Sequence, residues 1–254
     1  MSGLRRALRK VTPMALRRVI AQVRRSFSDH ASGLHAQIVL PGAPAPSMPV
    51  QMTLAQPIFE TPTSHGKIVN LRRAASLLSA AQIPPGGVFS FWSLVGEPTT
   101  ARGFVMGRAI VADEVSQDVG GGLCQLSGLI YELGLRAGLD VVERHAHSRD
   151  LYTDATRFAP LGLDATIGYA FKDLRLRNMH DVAVALSFVV EMDRIEARLH
   201  GDAPLVACHI DVHITATTTE RRVRVSRRDP SGADRVISSD VYVMEAPEKE
   251  SGGA

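Results

Sequence analysis

Cys124 follows the run Gly120-Gly121-Gly122-Leu123 and opens an apolar-periodic stretch, and the segment Glu143-Arg144-His145-Ala146-His147-Ser148 then supplies two imidazoles. Consecutive glycines reach backbone conformations closed to other residues, which is useful where a substrate carbonyl must approach the amides around a nucleophile. A cysteine at a helix start faces unpaired N–H groups and the positive end of the helix dipole. Both favour a thiolate and can hold an oxyanion beside it. The competing reading of a free cysteine is a small buried hydrophobe. Cys208, in the strand-like pattern Val206 to Val212, is read that way, whereas the setting of Cys124 suits a nucleophile.

His145 and His147 alternate, so on a strand both would point to one side and either could take the Cys124 proton and pass it to a leaving amine. Asp164, within Gly162-x-Asp164-Ala165-Thr166, either orients that imidazole as a third member or forms an Asx turn. A rival chemistry uses Cys124, His145 and His147 as three zinc ligands with an open fourth position, as a hydrolase would need. Arg102, Arg144 and Arg149 flank these residues. They match a carboxylate bidentately or make ordinary surface pairs. Gln125 falls in the first helical turn, where it could line a pocket, and Ser127 is placed to satisfy backbone groups. Tyr131 and Trp92 read as core.

Between Pro85 and Asn178 the chain resembles the VanW family. The resemblance is carried by Phe89-Ser90-Phe91-Trp92, Val95-Gly96-Glu97-Pro98-Thr99-Thr100-Ala101-Arg102-Gly103-Phe104, Gly120 to Ser127, Tyr131, Glu143-Arg144, His147-Ser148, and Leu161-Gly162 with Asp164-Ala165-Thr166. Trp92 and Glu97 look closer to its stand-alone branch. The resemblance implies a cysteine L,D-transpeptidase or carboxypeptidase acting on peptidoglycan stem peptides, with Cys124 as nucleophile. It also favours His147 over His145, because the His-Ser pair is the regular family feature, leaving His145 and Ser148 beside the reaction. A second function stays open: a non-catalytic accessory of glycopeptide resistance that binds precursors in the same cleft.

Several elements must position these groups. Ile68, Leu71, Ala75 and Leu78 predict a helix from Ile68 to Ala81, stopped by Pro84-Pro85-Gly86-Gly87. Strands are expected at Val88 to Trp92 and Met106 to Val111, the latter followed by a polar stretch from Asp113 to Asp118. The helix after Cys124 should run to about Arg136, with Leu126, Leu129, Ile130 and Leu133 inward, a Glu132/Arg136 pair outward and Gly138 as its stop. Leu139 to Arg144 reads as a strand leading to the histidines. After a loop at 149–163, strands are expected at Leu174 to Arg177, Val182 to Val190, Ile195 to Leu199, Val206 to Thr215, Arg222 to Ser226 and Val236 to Met244. The fold class is therefore α+β: a glycine-rich loop leads into a helix packed on antiparallel sheet, with a β-rich C-terminal extension. The expected divisions are a basic arm and Pro-rich linker (1–50), the VanW-like domain (51–200), the extension (201–246) and a loose tail (247–254).

Charge is unevenly placed. Residues 1–30 hold eight Lys or Arg against Asp29 alone, so the net +3 of the 254-residue chain splits into +7 for the arm and −4 for the rest. The arm reads as a basic amphipathic helix, started or broken at Pro13. It suits peripheral contact with an anionic membrane, a solvated helix docked on its own domain, or a loose arm. Basic charge that stops at the arm, with no stacking motif after it, argues against nucleic acid. Two cysteines exclude a disulfide framework. No apolar run is long enough to span a bilayer, and arginines interrupt the N-terminal apolar residues, so neither a membrane span nor a secretory signal is expected. That places the protein in the cytoplasm or on the inner membrane surface. The chemistry calls for no cofactor.

Overall fold

In the computed structural model, residues 12–42, 48–61, 64–79, 81–111, 114–150 and 157–244 are described. Parts of several expected features fall outside them: the first residues of the arm, Pro-rich positions 43–47, Asp113, positions 151–156 of the expected loop, and the tail from Pro247.

Helix α1 (Met14–Ala31) begins directly after Pro13. It is docked on the protein through ion pairs of Arg18 with Glu97, Arg25 with Glu143 and Asp29 with Arg175. Strand β1 (Val50–Pro57) starts at the last residue assigned to the linker. Helix α2 (Ser64–Leu78) buries Ile68, Leu71, Ala75 and Leu78 as their spacing requires, and ends three residues before the expected Ala81. A short strand β2 (Gln82–Ile83) follows, then β3 (Val88–Ser90). The strand expected through Trp92 stops early. Ser90 Oγ accepts the Ser93 N–H and caps the short helix α3 (Phe91–Val95), because a serine at this position satisfies a first-turn amide that a continued strand would not offer. Trp92 is accordingly half-buried on α3, with Nε1 donating to the Lys172 carbonyl.

Strand β4 (Met106–Val111) pairs antiparallel with β5 (Glu114–Val119), which takes up most of the polar stretch noted after it. Helix α4 (Leu123–Arg136) is next. Strand β6 (Asp140–Glu143) is followed by the two-residue β7 (Arg149–Asp150) and β8 (Arg175–Arg177). The C-terminal strands are β9 (Val184–Val190), β10 (Arg194–Gly201), β11 (His209–Ala216), β12 (Glu220–Arg228) and β13 (Asp234–Met244). Asp229 tightens the β12–β13 turn by accepting the N–H groups of Ser231 and Ala233.

The strands form sheets ordered β1-β10-β9-β2, β11-β12-β13-β7, β3-β8-β6 and β4-β5. All named pairs are antiparallel except β7 with β13. The fold is α+β. α4 lies at its centre, packed on α2, β1, β6, β10 and β11. Leu126, Leu129, Ile130 and Leu133 are fully buried, and burial continues almost all round the helix, as expected for an element with little charge. Each such side chain contributes about 1.5–3 kcal/mol as an upper bound. Glu132 and Arg136 form the expected pair at 2.8 Å, although Glu132 is buried rather than outward. Gly138, at φ +81°, ends the helix.

Candidate active site

The glycine run is shaped by its protein neighbours. Gly122, at φ +96°, is the N-cap of α4 and occupies a conformation that side chains disfavour. Gly121 packs against β4 so closely that a Cβ there would overlap the Gly107 backbone. The fully buried Asn70 of α2 fixes this contact: its Nδ2 donates to the Val105 and Gly121 carbonyls at 2.9 Å each, and its Oδ1 accepts the Val105 N–H. The close approach expected of a substrate at the glycines is therefore made by β4 itself. Asn70 carries no motif, and sequence reasoning passed over it.

Most of the amides expected to hold an oxyanion are occupied. The N–H groups of Gly120, Gly121 and Gln125 donate to the carbonyls of Val105, Asp118 and Gly122. Leu123 and Cys124 open α4, where the helix itself offers their N–H groups no acceptor. Gln125 does not line the pocket. Its side chain is buried, and Nε2 donates to the Pro57 carbonyl of β1 at 2.8 Å.

Cys124 is half-buried at the start of α4, with Sγ 3.9 Å from both Thr166 Oγ1 and the Ile167 carbonyl. His147 stands beside it. One Asp164 oxygen, Oδ2, accepts both the His147 backbone N–H at 2.9 Å and the Nδ1 hydrogen at 2.6 Å. That leaves Nε2 as the buried ring nitrogen with no hydrogen-bond partner among the described residues. Burial works against charge on all three groups, yet mutual attraction outweighs it. The Cys124 thiol is lowered by the His147 imidazole, then by Ile167 and Thr166. His147 is pushed up to about 10 by Asp164 and Cys124, and Asp164 is held well below the usual carboxylate range by His147 and Arg144. Both shifts favour a thiolate beside an imidazolium over the neutral pair.

The two histidines do not share a face, because β6 ends at Glu143 and residues 144–147 are irregular. His145 turns to Glu143, with Nε2 2.9 Å from Oε1. The three zinc donors proposed from sequence are therefore not brought together, and no group of three or more potential ligands occurs among the described residues. Cys208 lies buried before β11, its thiol pushed up by burial.

The arginines divide. Arg102 is not at the cleft: its Nη1 donates to the Glu97 carbonyl and braces the turn at Gly96. Arg144 is buried and paired with Asp164 at 3.1 Å and with Asp240, while its guanidinium lies 5.1 Å from the Tyr131 ring centroid. It positions Asp164 and is not available for a substrate carboxylate. Tyr242 of β13 donates to Asp164 Oδ1 at 2.6 Å. Asp240 and Tyr242 thus bring the C-terminal sheet into the site, and neither was found from sequence. Ser148 accepts the Val243 N–H through its carbonyl, which ties the histidine segment to the same strand.

Arg149 is exposed on the wall of an open cleft of about 450 Å³ that Cys124, His147, Arg157, Phe158 and Tyr242 also line. Asp150, the acid of that wall besides Asp164 among the described residues, is paired with Arg157 and Arg221. Lys67 of α2 lies against Gly122, with its ammonium 5.8 Å from the Phe158 ring centroid. Burial and then Arg108 lower it to about 8, so it remains largely charged at neutral pH. The cleft combines an activated thiol with a cationic wall.

Comparison with known proteins bears on the same residues. A family model described as VanW like protein matches residues 66–200, which include Cys124, His147 and Asp164 and stop short of Tyr242. Over 171 residues the chain is 26% identical to the uncharacterized protein YoaR of Bacillus subtilis (strain 168), covering 67% of this chain and 50% of that protein. Over 144 residues it is 28% identical to the vancomycin B-type resistance protein VanW of Enterococcus faecalis (strain ATCC 700802 / V583), covering 57% and 52% respectively. The chain thus spans about half the length of these two relatives. No solved structure gives a significant match. Among the described residues no helix is long and apolar enough to cross a membrane.

Proposed function

The chain belongs to the VanW family, and from that premise we propose that it is a cysteine acyl-transferase acting on the stem peptides of peptidoglycan or their precursors. The observation that carries the reading is the line Asp164–His147–Cys124, in which Asp164 holds Nδ1 and the His147 ring lowers the Cys124 thiol.

In this reading the Cys124 thiolate attacks an amide carbonyl carbon of the stem peptide. A C–S bond forms as the carbonyl π pair moves to oxygen, and the N–H groups of Leu123 and Cys124 face that oxyanion. Collapse breaks the C–N bond. The His147 imidazolium gives its Nε2 proton to the departing amine, leaving a thioester and a neutral imidazole. An acceptor amine or water then loses a proton to Nε2 as it attacks the thioester, and the thiolate and imidazolium are restored. An amine acceptor gives transpeptidation; water gives carboxypeptidation.

Asp164 holds the ring through Nδ1 and favours its protonated form, as the third member of such a triad does. Arg149 on the cleft wall supplies positive charge for the free carboxylate of the peptide terminus, and Lys67 adds to it from behind Phe158. The resistance named for the enterococcal relative is in line with a cell-wall substrate. Incubation with a tetrapeptide-stem muropeptide tests the proposal by mass of the products. Loss of the terminal amino acid or a cross-linked product is expected with the wild type and not with Cys124→Ala. Unchanged muropeptide in both, with binding retained, would support a precursor-binding protein instead.

A further inference from the structure

Helix α1 is docked by the side that an amphipathic helix normally shows to water. Arg18, Gln22, Arg25 and Asp29, at i, i+4, i+7 and i+11, make its hydrogen bonds and ion pairs with the domain. Arg18 Nη1 lies 2.6 Å from Glu97, and Gln22 donates to the Tyr169 hydroxyl at 2.7 Å. Arg25 holds Glu143 through both oxygens at 2.5 and 2.9 Å, and Asp29 holds Arg175 at 2.8 and 2.9 Å. The apolar stripe runs two positions out of step, through Leu16, Val19, Ile20, Val23 and Phe27. It is turned about 200° round the helix from the docked side. No residue of α1 is buried, and Val23 and Phe27 are 63% and 76% exposed. A stripe of this width ordinarily faces a core.

The charge around the stripe says what would cover it. Arg17 and Arg24 border it on one side; Arg17 lies 5.9 Å from the Phe171 ring centroid, and Arg24 makes no ion pair among the described residues. The one acid of residues 1–30, Asp29, is already held by Arg175. An apolar face with a cationic border and no free acid matches a bilayer surface with negatively charged headgroups.

We propose that α1 is an interfacial helix, clamped to the domain by its polar side so that Leu16, Val19, Ile20, Val23 and Phe27 enter the headgroup boundary of an anionic bilayer. Arg17 and Arg24 meet the lipid phosphates. The clamp includes Glu143, which ends the strand leading to His147, so seating the helix tethers the cleft's own framework to that surface.

The test needs no turnover and so stands apart from the acyl-transfer reading. The full chain is sedimented with vesicles of phosphatidylcholine alone and of phosphatidylcholine mixed with phosphatidylglycerol, at low and high salt. The wild type is expected to sediment with the anionic vesicles, less so at high salt, and to ignore the neutral ones. A Val23→Glu/Phe27→Glu double variant should bind at least roughly tenfold more weakly, since it removes two inserted side chains and adds repulsion. Its circular dichroism should match the wild type because both positions are exposed. Absence of wild-type binding to anionic vesicles, or equal binding by the variant, would overturn the proposal. So would ultracentrifugation without lipid showing a wild-type dimer that the variant splits, because the stripe would then be a self-association surface.

Discussion

Asp164 Oδ2 accepts both the ring Nδ1 and the backbone N–H of His147, so one carboxylate oxygen fixes the imidazole and the chain that carries it. The ring cannot swing away without breaking its hydrogen bond to a charged atom that the backbone N–H holds in place. With Nδ1 committed, Nε2 is the nitrogen left to exchange protons with Cys124 and with substrate. The other oxygen, Oδ1, is held by Arg144 and Tyr242, which makes Asp164 the point where the family segment and the C-terminal sheet meet.

Replacing Asp164 with Asn should weaken both stability and reactivity. Arg144 would lose one of its two carboxylates while remaining buried, at a cost of about 3 kcal/mol by analogy with other broken buried pairs. The folded-state value of Asp164 is depressed. Its contribution is therefore fully present above the ordinary carboxylate range, near pH 4, and is lost as pH falls through the lowered value. Urea midpoints for wild type and Asp164→Asn should differ at pH 7 and converge in strong acid.

The reactivity of Cys124 should depend on pH as an ion pair, not as a free thiol. An ordinary thiol of pKa about 8.5 loses about tenfold in alkylation rate for each unit below that value. Cys124 is lowered and His147 is raised to about 10, so the thiolate is favoured at lower pH than in a free thiol. Iodoacetamide labelling of Cys124 should fall less steeply from pH 8 to pH 7 than that of a free thiol. His147→Gln should restore a steep decline, because burial then meets only the lesser contacts of Ile167 and Thr166.

Tyr242→Phe should be felt at the site although residue 242 lies outside the family segment. Removing one donor to a buried carboxylate costs about 1.5–3 kcal/mol. The loss should lower the chemical denaturation midpoint and slow Cys124 labelling. A variant with wild-type stability and labelling would mean that the C-terminal sheet merely adjoins the site.

Much of this was legible in the sequence where local rules suffice. The 3.6-residue spacing of Leu126, Leu129, Ile130 and Leu133 marks α4, and Asp229-Pro230-Ser231-Gly232 marks a turn by its own side-chain chemistry. The glycine-led cysteine drew attention to the correct helix start. What escaped depends on distance along the chain. Arg144 reads as a ligand for substrate until β13 delivers Asp240, and nothing near Asn70 announces that it bridges Val105 and Gly121. The alternation of His145 and His147 misled because β6 stops at Glu143, where hydrogen bonds from Arg25 and the Asp173 N–H hold the carboxylate. Those partners lie 118 and 30 residues away.

The glycines offer a sharper stability test. Gly121→Ala would drive a Cβ into the Gly107 backbone, which cannot yield as a flexible side chain can. A loss of about 1–3 kcal/mol or more is expected, with displacement of the helix start. Gly128→Ala is the control. Its Cβ would meet its nearest neighbour at 3.6 Å, an ordinary contact, and its helical position favours alanine. Thermal unfolding of the two variants should separate them clearly.

The central claim is that Cys124 itself carries the acyl group. The most direct measurement is acid-quenched intact-protein mass, followed by peptide mapping, after brief mixing with a tetrapeptide-stem muropeptide. The account predicts an added mass equal to the stem fragment minus its terminal amino acid, mapped to Cys124 and absent from Cys124→Ala. Muropeptide turnover that persists in Cys124→Ala, or an adduct that maps to Cys208, would contradict it.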